Sequence, residues 1–197
     1  MEVLVLVNRQ NTLSELYIPG ELVQEPNTKI WLKKVVYEAF CKMNTGIQQE
    51  GHSSLVLVSG YRSYVHQQEV FNRKINNLIK EGLTKEEALK KAATIVAVPG
   101  TSEHQTGLAI DVTNLCLAKE QDPLIEGFEE TDHGKWLSLN SHQYGFILRY
   151  PKEKVSITHI TYEPWHYRYI GIEHAKAVKE LGICLEEYIY YLNKDMN

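Results

Sequence analysis

Apolar residues recur three and four positions apart, the spacing of an amphipathic helix, in six segments of the chain. The first segment is 28–43, with Thr28 as a candidate N-cap. In the third, Thr84 and Glu87 form a T-x-x-E capping box, which predicts a helix from there to about residue 94. The remaining helices are predicted at 64–80, 133–143, 173–182 and 185–193.

Shorter apolar runs predict strands. The run 54–60 is compact and is closed by a glycine, whereas 107–112 alternates and places Asp111 on the face opposite to Leu108 and Ile110. Further strands are predicted at 3–7, at 144–151 and, as a hairpin, at 156–161 and 165–171. Strands and helices mix without a βαβ rhythm, so we predict an α+β fold with a small antiparallel sheet flanked by helices.

Composition narrows the class of protein. The 197 residues are 43% hydrophobic and 23% charged, which is typical of a folded globular chain, and they predict a single domain over 1–197. The net charge of −4 offers no basic stripe for nucleic acid. No segment approaches the roughly 18 unbroken apolar residues of a membrane span, and nothing in the sequence points to an obligate protein partner.

The cysteines predict the compartment. Cys41, Cys116 and Cys184 are far apart and form no C-x-x-C pair, which favours reduced thiols. The N-terminal apolar run is too short for a secretory signal. We therefore expect a cytoplasmic protein.

Two segments carry candidate metal ligands. Asp111 lies within an apolar strand, where a carboxylate is costly unless it is paired or binds a metal, and Gly107 would let the loop that carries His104 fold back toward it. His166 follows Glu163 by three residues, after a proline. Two histidines and one carboxylate match a catalytic zinc site, with Glu163 as a general base. The alternatives are an Asp111 bonded to loop amides and a surface His166.

Three further residues are candidates for substrate chemistry. Arg62 follows a buried strand and a glycine turn, where a fixed guanidinium would stabilise an oxyanion, although an exposed loop arginine would give the same pattern. Gln67 and Ser102 are weaker candidates for hydrogen bonds to a small polar substrate. Gln67 could equally be a surface amide, and Ser102 a turn hydroxyl.

The blocks "SGYRS", "PGTSEHQTGLAIDV", "YGFILRYP" and "YEPWHYRYIG" together resemble the VanY/VanXY group of zinc D-alanyl-D-alanine peptidases over roughly residues 55–171. The resemblance implies one zinc ion per chain and the small α+β fold of the Hedgehog/D-Ala-D-Ala-peptidase type. It implies His104, Asp111 and His166 as ligands, Glu163 as the base and Arg62 as transition-state stabiliser. Gln67 and Ser102 would hold the terminal D-Ala.

Within this group the chain looks most like the cytoplasmic VanXY-type enzymes, which remove D-Ala from D-Ala-D-Ala dipeptide and from precursors ending in it, a step in vancomycin resistance. Ser59 departs from the acidic residue expected before the glycine, which leaves the balance between dipeptide and longer substrates open. An L,D-carboxypeptidase or endopeptidase of the same superfamily is one alternative. A non-catalytic zinc domain is another, although it would have no use for Glu163 or Arg62.

Overall fold

A four-stranded antiparallel sheet lies at the centre of the computed structural model, which describes residues 2–195. Strands β1 (Leu22–Gln24) and β2 (Trp31–Lys33) form a separate antiparallel pair. The larger sheet has the order β3-β4-β6-β5, and its strands are β3 (Val56–Ser59), β4 (Ala109–Thr113), β5 (Phe146–Leu148) and β6 (His166–Tyr169). The predicted α+β class with a small antiparallel sheet is confirmed.

Seven helices flank the sheet within the described residues. They are α1 (Lys34–Gln49), α2 (Tyr64–Lys80), α3 (Lys85–Ile95), α4 (Asp132–Asn140), α5 (Val155–Thr158), α6 (Ile172–Leu181) and α7 (Leu185–Asp195). The apolar face of α1, with Val36, Phe40 and Met43, packs in one cluster with Ile110 and Tyr167 of the sheet. This packing covers one face of the sheet and leaves the other face to the polar residues.

The register of the central strands brings the polar residues together. Asp111 on β4 lies directly opposite His166 on β6 and opposite Ser59 on β3. Ile110 lies opposite Tyr167 in the same ladder, one residue earlier. Because side chains alternate between the faces of a strand, burial of Ile110 and Tyr167 in the core fixes Asp111 and His166 on the opposite face.

Several local predictions are confirmed. Helix α2 has the predicted bounds, and α3 begins with the capping box, in which Thr84 Oγ1 accepts from the Glu87 amide and the Glu87 carboxylate accepts from the Thr84 amide. Strands β3 and β5 lie inside the predicted runs, and β4 extends one residue beyond its predicted run, to Thr113. Helix α4 ends at Asn140, and a 3-10 turn completes the predicted segment.

The prediction of one helix over 28–43 is wrong at its start. Thr28 does not cap a helix, because its amide and hydroxyl both donate to the Glu25 carboxylate in a turn, and Lys29 has a φ of 61°. Residues 31–33 then pair with β1, and α1 begins at Lys34 and continues to Gln49. The apolar residues before Lys34, which suggested a helix, lie in the turn and in strand β2.

Two predicted strands are absent from the described residues. The segment 3–7 begins in a 3-10 turn, and the carbonyls of Val3 and Val5 accept hydrogen bonds from Arg168, so they are not available to a strand ladder. The segment 156–161 forms the short helix α5, which ends where His159 takes a left-handed conformation. No strand can pair there with β6, because β4 and β5 occupy both of its edges.

Within residues 2–195, none of the helices combines the length and the apolar character that crossing a bilayer requires. Helices α6 and α7 form a buried hydrophobic cluster with part of β5, which contains Ala175, Val178, Leu185 and Tyr188. These helices therefore bury their apolar faces inside the protein.

Substitution of Gly60 tests how tightly the turn after β3 is packed. A Cβ at this position would lie 2.5 Å from the backbone oxygen of Trp31 and 2.4 Å from a methyl group of Leu32. We expect Gly60→Ala to lower the free energy of unfolding by about 1–3 kcal/mol, measured by urea denaturation. The matched control is Gly20→Ala, which would meet no atom within 4 Å and should change stability by less than about 0.5 kcal/mol. Equal stability of the two variants would contradict this packing.

Candidate active site

The three candidate metal ligands lie on three different structural elements. Asp111 and His166 are cross-strand partners on β4 and β6, and His104 lies in a 3-10 turn formed by Glu103–Thr106. That turn ends at Gly107, whose φ of 69° is in the left-handed region. The glycine thus lets the chain reverse from the turn into β4, as the sequence predicted.

The ligand atoms converge on one point. His104 Nε2 lies 3.2 Å from Asp111 Oδ2, and His166 Nδ1 lies 3.0 Å from Asp111 Oδ1. The three ligand atoms all lie within 4.8 Å of one another, and the two imidazole rings are nearly perpendicular. This spacing suits three donors around a single ion.

The donor set fits zinc. All three residues are buried, and Asp111 Oδ1 faces the His166 ring nitrogen at 3.0 Å without a hydrogen bond of good geometry among the described residues. A buried carboxylate oxygen without a partner is costly, and a metal ion removes that cost. Two imidazoles and one carboxylate, with an open fourth position, are the ligands of catalytic zinc sites.

The two histidines present different nitrogens. His104 Nδ1 lies 2.7 Å from the carbonyl of Gly60 and donates to it, which leaves Nε2 for the metal. His166 instead turns Nδ1 toward Asp111, while its Nε2 points away from the centre toward Glu103, 3.8 Å from Oε2.

Protonation in the metal-free site follows from these contacts. Burial lowers the pKa of His104. Burial also opposes protonation of His166, but the carboxylates of Asp111 and Glu103 outweigh it and raise the pKa of His166 to about 9. Burial alone would raise the pKa of Asp111, yet its two histidine neighbours hold the pKa of this carboxyl well below its usual range.

Glu163 lies beside the three ligands. Its Oε2 is 3.5 Å from His166 Nδ1, and its side chain retains 13% exposure. Its backbone amide donates to the carbonyl of Tyr150, two residues after the end of β5. Burial raises the pKa of the Glu163 carboxyl to about 8, against the opposing effect of His166. A carboxyl near neutrality can accept and release a proton, as a general base must.

Arg62 is held over the same centre by side chains. Its Nη2 donates to Ser59 Oγ at 2.8 Å and lies 3.8 Å from Asp111 Oδ2, and its Nη1 donates to Gln67 Oε1 at 2.8 Å. The Gln67 amide nitrogen in turn donates to the carbonyl of Ala97. Both polar atoms of Gln67 therefore have protein partners, and Ser59 also positions the guanidinium.

A cavity of about 210 Å³ opens above these residues. Its polar wall contains Ser102 together with six residues already placed around the centre: Arg62, Gln67, His104, Asp111, Glu163 and His166. Its remaining wall is mostly apolar and comes from α2, from the end of α3 and the segment after it, and from loops after β4, after β5 and before β6. It contains Val70, Ile95, Val96, Ala97, Leu124, Tyr150, Ile160 and Trp165. Such a cavity has room for a small, mostly apolar residue next to the polar centre.

The sequence reasoning missed the charges behind the centre. Glu103 is completely enclosed and is bonded to Arg149 and Arg168, which are also buried. A signal was present, because both arginines lie within apolar runs, "FILRYP" and "WHYRYIG", where a charge needs a partner. Their common partner, 46 and 65 residues away, had no signal in the spacing.

A centre of this kind on an antiparallel sheet is the arrangement of a hydrolytic zinc enzyme. The family model described as VanY, D-alanyl-D-alanine carboxypeptidase, matches residues 29–172, and the chain belongs to this family. The resemblance drawn from the sequence blocks is thus confirmed.

Solved structures similar to this chain agree with that membership. VanYB in complex with D-alanine-D-alanine is 37% identical, with a TM-score of 0.85 over 96% of this chain and 98% of that one. A mutant of the vancomycin resistance D,D-pentapeptidase VanY in complex with Zn(II) is 38% identical, with a TM-score of 0.82 over 96% and 99%. The LD-carboxypeptidase LdcB is 39% identical, with a TM-score of 0.82 over 95% and 86%.

Curated relatives from Bacillus subtilis and Enterococcus faecalis are 40% and 39% identical over 98% and 94% of this chain. The chain spans 68% and 65% of their lengths. About a third of each relative thus has no counterpart in the 197 residues.

The raised pKa of His166 predicts that zinc affinity depends on pH. His166 is protonated at pH 7 in the metal-free protein, because its pKa is about 9, and it must lose that proton to coordinate a metal. We expect the apparent affinity to rise roughly tenfold per pH unit for each proton released, between about pH 6.5 and 8. Calorimetry in buffers of different ionisation enthalpy counts the protons. A pH-independent affinity would show that His166 is already neutral.

Proposed function

We propose that this chain is a zinc-dependent D,D-carboxypeptidase and D,D-dipeptidase that removes the terminal D-Ala from peptides ending in D-Ala-D-Ala. The observation that carries the proposal is geometric: the Glu163 carboxyl lies 3.5 Å from His166, beside three convergent candidate ligands and a guanidinium fixed by hydrogen bonds. The D-alanine-D-alanine bound to VanYB supports the substrate class.

The residues divide the chemistry among them. His104, Asp111 and His166 would hold one zinc ion per chain, which when bound supplies a Lewis acid for the scissile carbonyl and the attacking water. Glu163 accepts a proton from that water as it attacks the carbonyl carbon. The protonated Glu163 then delivers the proton to the leaving amine nitrogen as the peptide bond breaks.

Arg62 stabilises the negative charge that develops on the carbonyl oxygen, because a guanidinium keeps its charge even where burial lowers its pKa. Gln67 supports this role by fixing Nη1 of Arg62. Ser102 lines the cavity, and within residues 2–195 its hydroxyl has no side-chain hydrogen bond that competes with a substrate. We propose Ser102 and Gln67 as the residues nearest the terminal D-Ala.

An L,D-carboxypeptidase is the second candidate. The observation that favours it is LdcB, which is as similar to this chain as the D,D-enzymes are. The two activities differ in the chirality of the residue before the scissile bond. That residue would face the apolar wall, which presents no charged group to select it. A purely structural zinc domain is disfavoured by Glu163 and Arg62, which have no function without a reaction.

The cellular setting is also a proposal. Cys41, Cys116 and Cys184 are free thiols in the structure, which supports a reducing compartment and the predicted cytoplasmic location. The vancomycin resistance of the related VanY supports a link to glycopeptide resistance. In that setting the substrates would be cell-wall precursors and the free dipeptide.

Substrate assays test the activity directly. We expect zinc-dependent release of D-Ala from D-Ala-D-Ala and from a muramyl pentapeptide ending in D-Ala-D-Ala, with loss of activity in a chelator and recovery on adding zinc. A tetrapeptide ending in an L,D bond is the discriminating substrate. Preferential cleavage of the tetrapeptide would replace the D,D-assignment with the L,D one, and chelator-resistant cleavage would contradict the metal site.

Glu163→Gln tests the assignment of the base. The amide preserves the size of the side chain but cannot accept the proton of the attacking water, so we expect kcat to fall by about 10²–10⁴. Zinc content, measured by atomic absorption, should stay near one per chain because Glu163 is not a ligand. His166→Ala is the matched contrast and should lose the zinc. Loss of zinc from Glu163→Gln would mean that this residue is a ligand.

A further inference from the structure

A buried carboxylate lies directly behind one metal-binding histidine. Glu103 is 1% exposed, and its Oε2 is 3.8 Å from His166 Nε2, the ring nitrogen that faces away from the metal position. Neither atom has another hydrogen-bond partner among the described residues. A donor and an acceptor that are both buried and unsatisfied therefore face each other across the back of the site.

Glu103 is fixed as an anion by two arginines. Its Oε1 accepts from Arg149 Nε at 2.9 Å and from Arg168 Nη1 at 2.6 Å, and all three side chains are excluded from solvent. Two guanidinium groups at hydrogen-bonding distance favour the charged form of this buried carboxyl. The arginines occupy Oε1, so only Oε2 is left to face His166.

Both arginines are anchored at the far ends of the chain. Arg149 donates through both terminal nitrogens to Glu186 on α7, at 2.7 and 2.9 Å. Arg168 donates to the carbonyls of Val3 and Val5. The position of Glu103 is thus set by contacts on two sides, neither of which involves the metal ligands.

The other histidine ligand has a different kind of support. His104 Nδ1 donates to a neutral backbone carbonyl, that of Gly60, at 2.7 Å. A carboxylate acceptor makes an imidazole a stronger donor to a metal than a carbonyl does, and it fixes the tautomer and the ring orientation. Only His166, among the two histidines, faces an anion in this way.

We propose that Glu103 is a positioning residue: its carboxylate accepts a hydrogen bond from the Nε2–H group of His166, which keeps the proton on Nε2, fixes Nδ1 as the zinc-binding nitrogen and strengthens that ligand. Glu103 touches neither substrate nor metal. The remainder of the buried network, from Val3 to Glu186, holds Glu103 in place.

Two matched substitutions distinguish an effect on the position of His166 from a general loss of stability. Glu103→Gln keeps the shape but removes the charge that faces His166, whereas Glu186→Gln removes a carboxylate from the same Arg149 without contacting either histidine. We expect the zinc Kd, measured by competition with a fluorescent chelator, to rise about 10- to 100-fold in Glu103→Gln. In Glu186→Gln it should stay within about threefold. The thermal midpoint of each metal-free variant reports how far the fold itself is weakened.

Two results would overturn the proposal: a Kd for Glu103→Gln within threefold of the unaltered protein, or an equal loss in both variants. If Glu103→Gln does not fold, nitrogen NMR of the unaltered, zinc-loaded protein labelled at histidine decides the matter. His166 should then carry its proton on Nε2 and His104 on Nδ1, and the His166 proton should exchange slowly with solvent. A His166 bound to zinc through Nε2, or without a proton there, would refute the role of Glu103.

Discussion

The antiparallel pairing of β4 with β6 is the constraint on which the site depends. It places Asp111 opposite His166, and one residue earlier it places Ile110 opposite Tyr167 on the other face. A slip of one residue would turn a ligand into the core and an apolar side chain into the site. The free energy gained by burying Ile110 and Tyr167 therefore also maintains the spacing between two of the proposed metal ligands.

Charge balance is the second constraint on this face of the sheet. Three carboxylates, those of Asp111, Glu103 and Glu163, lie near three guanidinium groups, and most of these side chains are excluded from water. Unpaired buried charges would cost several kcal/mol each. Arg62 approaches Asp111 from the cavity side, while the other two arginines reach Glu103 from behind. The ligands thus lie in a layer between two groups of positive charge.

Local patterns predicted the parts of the molecule that depend on neighbours in sequence. The capping box of α3, the bounds of α2 and the alternation of β4 are of this kind, and the blocks of resemblance led from them to His104, Asp111 and His166. The start of α1 could not be predicted, because Trp31–Lys33 becomes a strand only by pairing with β1. The Glu103 network was hidden for the same reason, since its members meet only after the sheet has formed.

Two glutamates of this site show how position rather than residue type determines chemistry. Two arginines hold the pKa of Glu103 far below neutrality, so this carboxylate stays negatively charged. At Glu163 desolvation outweighs the opposing effects of His166 and Arg62, and the pKa rises to about 8. Environments that push the pKa values of neighbouring carboxyls apart assign them different functions. These environments agree with the roles proposed for the two residues, Glu103 as the carboxylate that orients a ligand and Glu163 as the one that carries a proton.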